Sequence, residues 1–164
     1  MKAARDGFRM LRREQLLQEL VHDAYKSKHK LPEPTVCPKC GAVFHEGRWT
    51  WREAPAGAHE HVCPACSRIE DDFPAGYVTL TGEFLQEHRD EITRVLKHCE
   101  ATERSEHPLE RIMAIEDIEN GLLVKTTDAH LARNIAERLH DAYKGRLKFH
   151  YNKEDNLLRV LWSR

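Results

Sequence analysis

The sequence predicts an α+β protein: a basic N-terminal helix, a four-cysteine zinc ribbon, a long connecting helix, and a ββαββ domain with a four-stranded, mainly antiparallel sheet. Three observations predict it. Two C-x-x-C pairs stand 22 residues apart. Apolar residues recur at helical spacing over residues 82–104. Beyond them, an Asn-Gly hairpin signal leads into a helix and two further strands. The expected divisions are a basic helix and linker at 1–34, the ribbon at 35–81, the connecting helix at 82–108 and the ββαββ domain at 109–164.

Residues 8–29 read as a helix. Phe8, Leu11, Leu16, Leu20 and Ala24 keep one face, while Arg9, Arg12, Arg13 and Glu19 lie largely elsewhere. Pro32 and Pro34 end it. Cys37 and Cys40 form the first knuckle, and Cys63 and Cys66 the second. Two close thiolate pairs suit one tetrahedral Zn²⁺, and four sulfurs leave no open coordination position, so the expected ion organises structure without activating water. Between the pairs, residues 43–52 read as strand, turn and strand, with Glu46 and Gly47 at the bend. Period-two alternation puts Trp49 and Trp51 on one face, either as a small core over the metal or as a platform for stacked bases. His45, His59 and His61 lie close enough in sequence to stand in for a cysteine. Residues 68–77 read as a connector with an acidic cluster at Glu70, Asp71 and Asp72.

Phe84, Leu85, His88, Ile92, Val95, Leu96 and Cys99 make the apolar stripe of the long helix, and Cys99 on that stripe reads as a small core residue. In the last third, residues 111–118 and 122–126 flank Asn120 and Gly121 as a hairpin. Thr127 or Asp128 caps a helix through Ile135 and Leu139 to Tyr143, with Gly145 at its end. Residues 146–151 alternate strictly. Arg146, Lys148 and His150 fall on one face and Leu147, Phe149 and Tyr151 on the other, and a polar turn precedes the last strand.

Charge adds a direction. The whole chain carries −1, but residues 1–30 carry +4, residues 67–120 carry −8, and residues 121–164 carry +4. Basic ends suit phosphate contacts, and they equally suit solvated helix faces. No Gly-rich phosphate loop, nucleophile elbow or H-E-x-x-H pair occurs, and His107, His130 and His150 have no spacing that unites them. Five cysteines, four of them in a metal pattern and Cys99 left over, fit a reducing compartment. The absence of a long apolar run or a secretory-type N-terminus makes a cytoplasmic location the expectation.

The leading reading is therefore a non-catalytic zinc protein that contacts structured RNA. Arg48, Arg52, Lys125, Arg146, Lys148 and Arg159 would meet phosphates, and Trp49 or Trp51 would stack on a base. A protein–protein adaptor using the acidic middle is the alternative. A hydrolase or NTPase with a hidden site is the third.

The ribbon from Cys37 to Arg68, together with the segment from Gly121 through Arg133 to Arg159 and Trp162, resembles the Nmd-three-type adaptors of the large ribosomal subunit. The resemblance spans about residues 35–164. It implies a zinc-bearing region and a following αβ domain seated on ribosomal RNA and protein, with the four cysteines as metal ligands.

Overall fold

The computed structural model describes Tyr25, Ser27 and residues 29–164. The helix expected over residues 8–29 lies almost wholly outside the described residues. Within them the chain is mixed α and β, with four helices and two sheets.

The smaller sheet holds β1 (Thr35–Val36), β2 (Val43–His45), β3 (Arg48–Thr50) and β4 (His59–Glu60), in the order β3-β2-β1-β4. β2 and β3 form the expected hairpin. Glu46 (φ 51°) and Gly47 (φ 78°) both take left-handed backbone at its turn, which suits a tight two-residue connection. Phe44 faces Trp49 across the pair, with ring centroids 5.6 Å apart.

The first departure from expectation follows the second knuckle. Cys63 caps a helix, α1 (Pro64–Asp71), its sulfur accepting from the Cys66 N–H, and Pro64 stands at the first helical position. The helix ends at Asp72, in left-handed backbone. The acidic cluster read as part of a connector is thus mostly helical. Its members are engaged: Glu70 pairs with Lys39, Asp71 accepts from the Tyr25 hydroxyl, and Asp72 pairs with Lys125.

The second departure is β5 (Gly76–Thr81), which runs up the middle of the larger sheet. That sheet therefore has five strands where four were expected, in the order β6-β7-β5-β9-β8. β5 lies antiparallel to β7 and parallel to β9, and the other pairs are antiparallel. Val78 and Leu80 alternate with Tyr77, Thr79 and Thr81, a short half-buried strand pattern.

The long helix expected over 82–104 is broken into α2 (Glu83–Glu87) and α3 (Arg89–Glu106). His88 ends one and starts the other, and its ring stacks on Phe84 at 4.0 Å. β6 (Ile112–Ile118) and β7 (Gly121–Thr126) turn at Asn120, which has φ 62°. Asp128, rather than Thr127, caps α4 (Ala129–Tyr143), accepting from the N–H groups of His130 and Leu131. β8 (Arg146–Asn152) and β9 (Leu157–Ser163) complete the sheet.

α4 packs across β9, β5 and β7, and α3 packs on α4. The core is their shared filling. Val78, Leu80, Leu122, Val124, Leu158, Val160 and Trp162 rise from the sheet to meet Ile92, Leu96, Leu131, Ile135 and Leu139. Trp162 is fully buried and donates its indole N–H to the Lys144 carbonyl at 2.8 Å. Cys99 is buried in the same core, and burial pushes its thiol up to about 11, as fits a packing residue. The helices that pack on the sheet cover this one face. Opposite it lie Tyr77, Thr79, Arg159, Leu161, Lys148 and Arg146, and Leu161 is 40% exposed.

Gly121 abuts β5 so closely that an added Cβ would sit 2.0 Å from the Leu80 carbonyl oxygen. Main chain in a central strand has little room to yield. Gly121→Ala is expected to cost about 3 kcal/mol, measured by urea unfolding.

Candidate metal centre

The first knuckle is shaped by main-chain bonds. The Gly41 N–H donates to the Cys37 carbonyl at 2.9 Å, and the Cys37 N–H donates to the Ala42 carbonyl at 2.8 Å. Gly41 takes φ 81°, which lets the chain turn back sharply enough to aim both sulfurs inward. The second knuckle is the start of α1. All four Sγ atoms lie within 4.8 Å of one another, and Cys40 and Cys63 are 3.8 Å apart. A tetrahedron with metal–sulfur bonds of about 2.3 Å has edges of about 3.8 Å. The residues present fit one zinc ion, with all four corners supplied by the chain. The chemistry such an ion supplies is structural: it holds two distant loops in one geometry.

Charge gives a second test of the fit. Burial raises the Cys63 thiol strongly and raises that of Cys66 as well. For Cys37 burial acts upward too, but main-chain N–H groups of Cys63, Cys40 and Lys39 outweigh it and bring the thiol down to about 7. Four packed thiolates repel one another, so ionising them all requires a compensating cation.

The chain supplies part of that cation itself. Arg111, at the head of β6, is only 5% exposed and reaches three of the four sulfurs. Its Nη1 donates to Cys66 at 3.2 Å, and its Nη2 donates to Cys40 at 3.1 Å and Cys63 at 3.4 Å. Burial works against its charge, but the hydrogen bond to Cys66 and the neighbouring sulfurs hold its pKa above the ordinary guanidinium range. One guanidinium offsets one thiolate; a divalent ion is the right size of charge for most of the rest.

Sequence spacing does not reveal Arg111. It lies 45 residues from Cys66 and 71 from Cys40, and a lone arginine opening a strand looks like an exposed terminus. His45, His59 and His61 stand outside the ligand set: the cluster comprises the four cysteines, and His59 and His61 are exposed.

The expected RNA-contacting residues fall in separate places. Arg48 and Arg52 are exposed on the cysteine module. Trp49 is half-buried against the cysteine cluster, in keeping with a small core over the metal. Trp51 lies past the end of β3 and leans on α3, donating its indole N–H to the Arg104 carbonyl at 2.6 Å under the Arg104 guanidinium. The two tryptophans therefore do different jobs. Lys125 is mostly covered and paired with Glu116 at 3.0 Å and Asp72 at 3.5 Å. Arg146, Lys148 and Arg159 are brought together. They are exposed on the sheet face opposite α3 and α4, with His150 directly across from Arg159 and Lys148 across from Leu161. The Arg159 guanidinium lies 4.9 Å above the Tyr77 ring.

Glu110 also escapes a reading of the sequence. It is nine-tenths buried beside Arg111, at a cleft of about 880 Å³ between the cysteine module and the larger sheet. Burial first, then the charges of Asp128 and Glu103, push its carboxyl up to about 8.

Comparison with protein-family profiles, curated proteins and solved structures gives no match. No helix among the described residues is long and apolar enough to cross a membrane. Fold and site together define the class: an α+β protein whose smaller module is organised around a four-thiolate site that fits one structural zinc.

Removing a ligand and neutralising the buried carboxyl both have measurable consequences. Cys63→Ser removes the most buried corner; metal analysis should find the stoichiometric zinc lost, and the cysteine module should unfold, since structural zinc contributes about 10–16 kcal/mol in small fingers. For Glu110, the native state holds its proton to about pH 8 while the unfolded chain releases it near the ordinary 4.5. The native state thus binds more protons across that window, and its stability falls as pH rises through it. Glu110→Gln should flatten this dependence, with its advantage over the parent growing from about pH 4.5 to about pH 8 in thermal melts.

Proposed function

We propose that the protein is a non-catalytic zinc-ribbon protein that binds structured RNA, with the face of the larger sheet opposite α3 and α4 as its contact surface. The observation that carries this reading is the exposed cluster of Arg146, Lys148, His150 and Arg159 on two adjacent strands, on the face opposite the helices. Cations held on a rigid platform track a phosphate backbone without needing a deep pocket. The Arg159 guanidinium over Tyr77 offers a flat cationic surface on which a base can stack. Thr79, Thr81 and Ser163 place hydroxyls beside it, in register across β5 and β9, where ribose groups would pass. The resemblance of the ribbon and the later segment to the Nmd-three-type adaptors favours ribosomal RNA as the target. The zinc's part is to hold the ribbon, and with it Arg48 and Arg52, in a fixed place.

A second reading has one observation behind it. Ile69 and Phe73, at and just beyond the end of α1, are 43% and 48% exposed, a small apolar patch suited to a protein partner.

Fluorescence anisotropy with a labelled ribosomal RNA stem-loop tests the first reading. Replacing Arg146, Lys148 and Arg159 together by Glu should abolish tight binding, and replacing them by Ala should reduce the slope of log affinity against log salt by roughly 2. Lys125→Ala should change little, because its charge is already paired. Affinity that ignores both salt and these substitutions would sink the RNA reading. Ribosome co-sedimentation that survives high salt but is lost in Phe73→Ser would favour the protein reading.

A further inference from the structure

We infer that Arg111 is an outer-sphere element of the metal centre. By donating to the thiolates it withdraws electron density from them, shields the solvent-facing sulfur from electrophiles, and ties retention of the zinc to docking of the larger sheet on the cysteine module.

The side chain is built to be a fixed donor. Its Nε donates to the Pro108 carbonyl at 2.8 Å, and its main-chain N–H donates to the Thr127 hydroxyl at 2.9 Å. That hydroxyl donates in turn to the Leu109 carbonyl at 2.6 Å, and the Thr127 N–H donates to the Arg111 carbonyl. Thr127 follows directly on β7, so the guanidinium is held by the body of the larger sheet while its two terminal nitrogens face the sulfurs. A fork whose third nitrogen is already engaged has little freedom to swing away.

The sulfurs divide between two sources of hydrogen bonds. Main-chain N–H groups reach Cys37, from Cys63 at 3.3 Å, and Cys63, from Cys66 at 3.4 Å. The guanidinium reaches Cys40, Cys63 and Cys66. Cys40 is the least buried of the four and receives the shortest of these bonds, 3.1 Å. It is the sulfur that an oxidant or alkylating agent meets first, and like Cys66 it is bonded by Arg111 rather than by a main-chain N–H. Four thiolates around one divalent ion carry an excess of two negative charges, and the buried guanidinium cancels one of them. Partners that hydrogen-bond to metal ligands commonly alter metal affinity by 10–100-fold when removed.

The bond also runs between modules. The ligands belong to the first and second knuckles and the donor to the segment leading into β6, so each module satisfies a buried charge of the other. Zinc lost from the sulfurs leaves the guanidinium facing thiols, and a displaced guanidinium leaves the sulfurs with uncompensated charge.

The test uses the zinc-loaded protein and the variants Arg111→Lys and Arg111→Met. Zinc released to a chromogenic chelator is followed during exposure to N-ethylmaleimide, and the first cysteine labelled is identified by mass spectrometry. Release should be about tenfold faster in Arg111→Met, with Cys40 labelled first and Arg111→Lys intermediate. The sulfur-to-metal charge-transfer band of the cobalt-substituted protein should move to lower energy in the same order, a shift that loss of packing alone would not produce. Equal release rates with an unmoved band in folded, zinc-loaded Arg111→Met would overturn the inference. Should neither variant fold, the parent protein carries the decision. With NMR-active cadmium in place of zinc, the Arg111 guanidinium protons should show scalar coupling to the metal through the N–H···S bonds. Freely rotating guanidinium signals without coupling would refute it.

Discussion

The contact that joins the two modules of this structure is the one between the Arg111 guanidinium and the cysteine sulfurs. Packed thiolates are an electrostatic problem. Each is stable as an anion only beside enough positive charge, and burial removes the water that would otherwise supply relief. The chain meets that problem from two directions. Its ligand geometry accepts a divalent ion, and an arginine from the larger sheet closes over the sulfurs. The second contribution makes the metal centre a property of both modules.

The two modules are stabilised differently. The larger sheet and its two packed helices share a continuous apolar core, with Trp162 on the sheet side and Ile92, Leu96 and Leu139 on the helix side. Such a core supports itself by burial. The cysteine module has strands of two or three residues and a cluster consisting mainly of cysteines, Ala65, Trp49 and Leu109. So little apolar area cannot offset the chain entropy of ordering its loops, which is why a metal suits it. Leu109 and Arg111 enter that small cluster from the segment leading into β6, so the larger module lends the smaller one both apolar cover and charge.

Function divides along the same line. A thiolate set with every corner occupied by protein leaves no place for substrate, so it fits scaffolding and not turnover. On the sheet face opposite α3 and α4 the charged residues are unevenly placed. Acidic groups neutralise Lys125 toward its β6 side, while the β8–β9 side keeps Arg146, Lys148 and Arg159 exposed.

Much of this was legible in the chain because it is local. The C-x-x-C pairs place sulfurs within three residues of each other, Asn120 and Gly121 prefer left-handed or close-approach backbone, Thr127 or Asp128 caps the helix that follows, and strict alternation at residues 146–151 sorts cations from apolar residues. Each is decided within a handful of residues, so the sequence alone determined the ligand set, the hairpins and the basic face. Tertiary structure decided what depends on distant partners. β5 becomes a central strand only because β7 and β9 are there to pair with both its edges; by itself it is six residues with one polar side. The stripe over residues 82–104 is interrupted where His88 settles on Phe84. Trp49 and Trp51 part company because α3 offers Trp51 a carbonyl. Arg111 reaches the sulfurs through the tertiary fold, and a contact between residues 45 and 71 positions apart leaves no period in the sequence.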